Sequence, residues 1–249
     1  MARAAVSGRL TWLTATVRET REETETARTL VLDVPGWPGH LAGQHVTVKL
    51  TAADGYSAHR DYSIASAPEA GRLELTVQRL DDGEVSPYLV DDLIPGDPLE
   101  LRGPIGGYFA WEEAFGGPLL LVAGGSGIVP FRAMLRHWAA GAREVRVRML
   151  YSARSLAGVL YRRELAELAL ADGLDVQITL TRSCPEGWAG RRGRVDRALL
   201  DEVAWPPSTR PLVYVCGPTA FVETVGQALV ESGHDPARVR TERFGPTGS

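Results

Sequence analysis

The chain has 249 residues, 44% hydrophobic and 23% charged, a composition that suits one large globular unit or two modest ones. Its two cysteines are too few for a disulfide framework or a four-thiolate iron–sulfur site, its five histidines are scattered, and no resident metal is expected. The net charge of −4 is uneven: residues 1–113 carry 10 basic and 18 acidic side chains, residues 114–249 carry 17 and 13, which argues against nucleic-acid binding and leaves a basic rear half suited to a small polyanion such as a nucleotide.

From the N-terminus, "MARAAVSGRL" lacks the apolar core of a secretory signal, and no later run is long enough to span a bilayer. A cytoplasmic protein without membrane insertion is therefore expected. Short β-rich runs follow: "LTWLTATVRE", "TARTLVLDV", "GQHVTVKL", "DYSIAS", "RLELTVQRL" and "DPLELRG", with turn residues such as Pro35, Gly36, Pro38 and Gly39 between them. Six strands at this spacing predict an antiparallel barrel or sandwich. Between the last two runs, Ser86-Pro87 reads as a helix N-cap followed by a first-turn proline.

The period changes near "WEEAFGGP", which predicts one domain over 1–113 and another over 114–249. Strand-like "PLLLVA", "VRVRMLYS", "DVQITLT" and "PLVYVC" alternate with helical "VPFRAMLRHWA", "YRRELAELAL", "VDRALLDEV" and "AFVETVGQALVES". That alternation predicts βαβ units and a parallel sheet. Gly125-Ser126-Gly127 lies between the first such strand and its helix. A helix N-terminus offers free N–H groups and partial positive charge, and glycines let a phosphate approach the backbone. Gly125 and Gly127 fit the first two positions of G-x-G-x-x-G, but Pro130 stands at the third, so phosphate binding and a plain βα turn both stay open. A nucleophile elbow, G-x-S-x-G, is a weaker fit because Ile128 replaces its last glycine.

The second parallel strand ends in "LYSARS", with Ser152 and Arg154 and no acid for a ribose hydroxyl. Arg182 ends the third strand and Arg194 follows in "GRRGRV". Each alone reads as a solvated surface arginine; three near one nucleotide site suit a 2′-phosphate.

Three further motifs complete an ordered set. They are "HRDYSIAS", holding Arg60, Asp61, Tyr62, Ser63 and Ile64; "DDGEVSPYL", holding Gly83, Glu84, Val85 and Ser86; and "VCGPTAF", holding Cys216, Gly217 and Pro218. With "GGSGIVP" between the second and third, the chain from about Leu13 to Phe244 resembles the ferredoxin–NADP reductase superfamily. The resemblance implies a six-stranded antiparallel FAD-binding β-barrel followed by a Rossmann-like parallel α/β domain that binds NADPH or NADH. It assigns Arg60 to the FAD diphosphate, Tyr62 to packing on the isoalloxazine and Ser63 to its N5 edge. It assigns the Gly83–Ser86 turn to a second phosphate contact, with Val77 and Arg79 on the adjacent strand. Cys216 would sit beside the nicotinamide. In the tail, Glu242 and Phe244 match a Glu-x-aromatic arrangement, with phenylalanine instead of tyrosine and five residues after it.

The expected activity is hydride uptake from NAD(P)H, with NADPH favoured, onto FAD. Ser63, Cys216, Glu242 and Phe244 would shape that site by orienting rings and setting polarity, none as a covalent catalyst. The electrons would pass singly to a separate carrier, a ferredoxin or flavodoxin, feeding an oxygenase. The reason is that two lone cysteines hold no iron–sulfur cluster here. A monomer is expected. An NAD(P)H:flavin reductase that releases reduced flavin, and a non-catalytic nucleotide-binding module, are the alternatives.

Overall fold

A computed structural model describes residues 10–245. The N-terminal stretch read above for a leader lies, over residues 1–9, outside the described residues, as do residues 246–249 of the tail.

The front half contains β1 (Leu13–Thr24), β2 (Ala27–Asp33), β3 (His45–Thr51), β4 (Ser57–Ser63), β5 (Leu73–Gln78) and β6 (Pro98–Ile105). They form one antiparallel sheet in the order β4-β3-β6-β1-β2-β5. Its two edges meet where Ile64, just past β4, bridges Leu75 of β5, and the Ala65 N–H donates to the Glu74 carbonyl at 2.8 Å. This closure decides for a barrel over a sandwich. Alternating residues fill the interior: Leu30 and Leu32, Val46 and Val48, Leu73 and Leu75, Leu99 and Leu101. Each contributes about 1.5–3 kcal/mol by leaving water. Register shifts within the 12-residue β1 bend it around the barrel. A π-type helical turn, Tyr88–Asp92, closes one end with Leu89 and Val90.

The rear half alternates β7 (Leu119–Gly124), α1 (Ile128–Ala140), β8 (Val147–Ser155), α2 (Arg162–Leu168), β9 (Leu174–Ser183), β10 (Arg191–Arg192), α3 (Arg197–Val203), β11 (Leu212–Pro218), α4 (Thr219–Glu231) and β12 (Val239–Phe244). The sheet is wholly parallel, in the order β10-β9-β8-β7-β11-β12. β7 is apolar throughout because both its faces are covered. Leu119, Leu121 and Ala123 pack with Phe131, Met134 and Trp138 of α1, while Leu120 and Val122 pack with Val222, Val225 and Leu229 of α4. The predicted helix starting at "VDRALL" begins at Arg197 because Asp196 caps it, accepting from the Leu199 N–H at 2.9 Å. From β7 the chain builds β8–β10 to one side and β11–β12 to the other. The carboxyl ends of β7 and β11 therefore flank a topological switch point, where such sheets open a crevice. Among the described residues no helix is long and apolar enough to cross a membrane.

Candidate functional site

Three glycines shape that crevice by close approach. A Cβ on Gly127 would lie 2.1 Å from the Cys216 carbonyl oxygen, and one on Gly124 or Gly217 would meet the Phe221 ring at 2.8 Å. Gly125 differs: its φ of +57° favours glycine, and nothing lies within 4 Å of where its Cβ would be. The backbone is thus bare toward the crevice at Gly125 and Ser126. No side chain caps the N-terminus of α1 that follows. A half-buried, uncapped turn with Gly125 in the left-handed region leaves a cradle that a diphosphate fits. Pro130, in the third helical position, is buried and keeps the first turn of α1 tight.

On the barrel, the strand end and the predicted turn come together. Arg60 donates from Nη2 to Glu84 Oε2 at 2.7 Å, and the Tyr56 hydroxyl donates to Glu84 Oε1 at 3.0 Å. Arg60 is half-exposed and aimed over the Gly83–Ser86 turn, so an anion already occupies its fork. Tyr62 is partly buried against the barrel core, and burial pushes its phenol above the ordinary range. Ser86 corrects the sequence reading. It is the first residue of the helical turn and not its cap, because its Oγ accepts from the Leu80 N–H at 3.0 Å and pins the loop. A Cβ on Gly83 would come 2.8 Å from that same Oγ. Val77, Ile64 and Val85 are buried near the same turn. Their side chains are sealed in the barrel core. Arg79 pairs with Asp81 at 3.3 Å and Asp91 at 3.2 Å, beside the turn.

The two halves meet around Glu242. Register pairs β11 with β12 so that Cys216 lies beside Glu242, and the thiol approaches Glu242 Oε2 at 3.9 Å. From the barrel, His45 Nδ1 lies 3.8 Å from Glu242 Oε1, and His45 is the register partner of Ser63. Asp61 sits nearby, accepting from Thr47 Oγ1 at 2.7 Å. Burial, reinforced by Asp61, pushes the Glu242 carboxyl up to about 7, the Cys216 thiol contact acting the other way. Burial and then Glu242 push the Cys216 thiol well above its usual range, so it stays a neutral S–H. Burial holds His45 below the ordinary imidazole range against the pull of Asp61. Phe244, 36% exposed, ends β12 opposite Pro218 at the rim. His45 and Tyr56 escaped the sequence reading. The only sequence signal for His45 was its place in the run "GQHVTVKL".

Ser152, Arg154 and Arg182 sit at the ends of adjacent strands β8 and β9, and Arg194 follows β10. Ser152 is buried and the three arginines are exposed. Among the described residues no carboxylate pairs with any of the three. They form a row of free cations on the β8 side of the crevice.

Fold and site together define a two-domain flavin- and nicotinamide-nucleotide-binding architecture. Residues 14–110 match the oxidoreductase FAD-binding domain family, and residues 121–227 match the oxidoreductase NAD-binding domain family. Among curated relatives, the glycine betaine monooxygenase reductase subunit of Pseudomonas aeruginosa is 34% identical over 208 residues, 82% of this chain and 56% of the relative. Ferredoxin–NADP reductase B of Sorangium cellulosum is 37% identical over 210 residues, 82% of this chain and 84% of the relative. The FAD/NAD-binding domain of nitric oxide dioxygenase from Vibrio cholerae superposes with a TM-score of 0.84 at 27% identity, covering 94% of this chain and 99% of that one. The chain belongs to the ferredoxin–NADP reductase superfamily. It spans just over half the length, 56%, of the first of these relatives.

Proposed function

We propose that this protein is an NAD(P)H-dependent flavoprotein reductase that passes single electrons to a separate carrier, such as a ferredoxin or flavodoxin, serving an oxygenase. The observation that carries the reading is the cluster at Glu242, which His45 of the barrel, the register partner of Ser63, approaches from one side and the Cys216 thiol at the end of the parallel sheet from the other. The relatives support it: one is named as the reductase subunit of a monooxygenase, another as a ferredoxin–NADP reductase. Bound FAD supplies the conversion of a two-electron hydride into one-electron transfers.

The chain's own residues hold and orient. Arg60, which pairs with Glu84, would hold the FAD diphosphate together with the backbone of residues 83–86. Tyr62 offers a flat face to the flavin ring. Gly125 and Ser126, at the uncapped start of α1, take the coenzyme diphosphate. Cys216 stays a neutral, buried thiol and would border the nicotinamide. Glu242 holds a proton on its carboxyl below about pH 7. The free row of Arg154, Arg182 and Arg194 favours NADPH through its 2′-phosphate. The reduced coenzyme pool this requires is cytoplasmic, where we place the protein.

The test is steady-state turnover of the flavin-loaded chain with each coenzyme, followed by a screen of iron–sulfur and flavodoxin-type carriers read by cytochrome c reduction. NADPH is expected to outperform NADH, and Arg154→Ala to raise the KM for NADPH about tenfold while leaving NADH within twofold. A colourless preparation that takes up no FAD sinks the reading. Efficient turnover of free flavin with no active carrier replaces it with the flavin-reductase alternative.

A further inference from the structure

Among the described residues, the largest charged cluster outside the site crosses the domain boundary, and its centre is Glu74 on β5. We propose that Glu74 is a positioning residue for hydride transfer: its backbone holds the strand end that carries Ser63, and its carboxylate holds α1, so one residue sets the two halves of the site against each other. The proposal rests on the functional reading above.

The backbone tie is direct. The Glu74 carbonyl accepts the Ala65 N–H at 2.8 Å, and its own N–H donates to Ser66 Oγ at 3.1 Å. Ala65 is two residues past Ser63. On the side-chain end, Glu74 Oε2 accepts from Arg132 Nη1 at 2.7 Å and Arg136 Nη1 at 3.0 Å, both on α1. Glu74 Oε1 accepts from Arg21 Nη2 at 2.9 Å. Arg132 is only 4% exposed. Its Nε donates to Glu164 of α2 at 2.9 Å, and its guanidinium lies 4.4 Å from the Tyr161 ring centroid. Tyr161 takes a left-handed φ of +56°, so the start of α2 is itself shaped to meet this cluster.

A continuous path results. It runs from Ser63 through Ala65 and Glu74 to Arg132, then back along the first turns of α1 to Gly127, which touches the Cys216 backbone. Burial disfavours the Glu74 charge, but Arg132, Arg136 and Arg21 outweigh that and hold its carboxyl below the ordinary range. With Glu74 neutral, buried Arg132 keeps only Glu164 as a carboxylate partner, so α1 must shift to satisfy the charge. Other boundary contacts remain: His137 with Glu69 at 2.6 Å, and the Tyr214 hydroxyl donating to the Ala110 carbonyl at 2.9 Å. Loss of Glu74 therefore re-aims α1 and does not release the domain.

The test is Glu74→Gln in the flavin-loaded chain. Single-turnover flavin reduction is expected to fall at least tenfold, while flavin affinity and the KM for NADPH stay within twofold. The long-wavelength absorbance of nicotinamide stacked on flavin should weaken. In the flavin-free chain, amide exchange should quicken over α1 and residues 64–66. Arg136→Lys, which keeps the charge, should stay within twofold in rate. A Glu74→Gln protein that loses thermal stability but keeps the rate and the absorbance overturns the proposal. If Glu74→Gln does not fold, Arg136→Gln must show the same split to a lesser degree, and a wild-type split there overturns it. A wild type that oxidises neither coenzyme defeats the functional reading instead, and unchanged exchange in Glu74→Gln then still rejects the tie.

Discussion

Glu242 carries the most consequential pH behaviour in the molecule. Its ordinary value is 4.5 and the folded value about 7, raised because burial disfavours the carboxylate. Between those values the folded state binds more protons than the unfolded chain, so stability falls as pH rises. The contribution is complete below about pH 4.5 and lost by about pH 7. Thermal melting of the wild type should therefore decline from pH 5 to 7.5 relative to Glu242→Gln, which lacks the titration. Parallel curves for the two proteins would show that Glu242 ionises normally. The neighbours do not reverse what burial sets: Cys216 offers only a weak S–H contact at 3.9 Å, and Asp61 repels. His45, 3.8 Å from the Glu242 carboxylate, is itself held below the ordinary imidazole range by burial.

At the scale of elements, the β7–α1 turn does two jobs with different glycines. Gly127 is packed against the Cys216 carbonyl, so Gly127→Ala forces β7 and β11 apart. Overpacking of this kind costs about 1–3 kcal/mol. Gly125 faces open space, so Gly125→Ala meets only its left-handed backbone, about 1–2 kcal/mol. Both variants should melt earlier. Gly127→Ala should also perturb the Cys216–Glu242 pair, moving the midpoint of the pH-dependent melting that Gly125→Ala leaves in place. The same turn was legible in the sequence as glycines between an apolar run and a helical one. Which glycine is packed and which is open was not, because that depends on β11, nearly 90 residues later. Ser86 shows the opposite failure. Serine before proline has the local chemistry of a cap, yet its hydroxyl finds the Leu80 N–H six residues back, which pins the loop instead.

For the whole molecule, charge and sheet order decide what lies near the site. β10, with Arg191 and Arg192, is at the opposite edge of the sheet from β12, which carries Glu242. Arg191 is also ion-paired with Glu202. If the proposed carrier docks where His45 of the barrel meets Glu242, these arginines lie at the far edge of the sheet from it. Arg191→Ala/Arg192→Ala should leave carrier reduction within twofold at low and high salt, since charges far from the docking face are largely screened from it. A rate drop confined to low salt would place docking on the β10 side.

The order and kind of elements were present in the sequence. Period-two alternation marks the barrel strands, and continuous apolar runs beside helical segments mark a sheet covered on both faces. These patterns arise from which face each residue must bury, and that is a local property. Barrel or sandwich stayed open until the Ile64–Leu75 bridge closed the sheet. Arg60 could be matched to an anion by type, but its Glu84 partner, 24 residues on, came from a loop returning over the strand. His45 against Glu242, and Glu74 against Arg132 58 residues away, required two domains to dock in one register. No periodicity encodes such contacts, because they join faces that each look solvent-directed in their own segment. Only the packed chain brings them together.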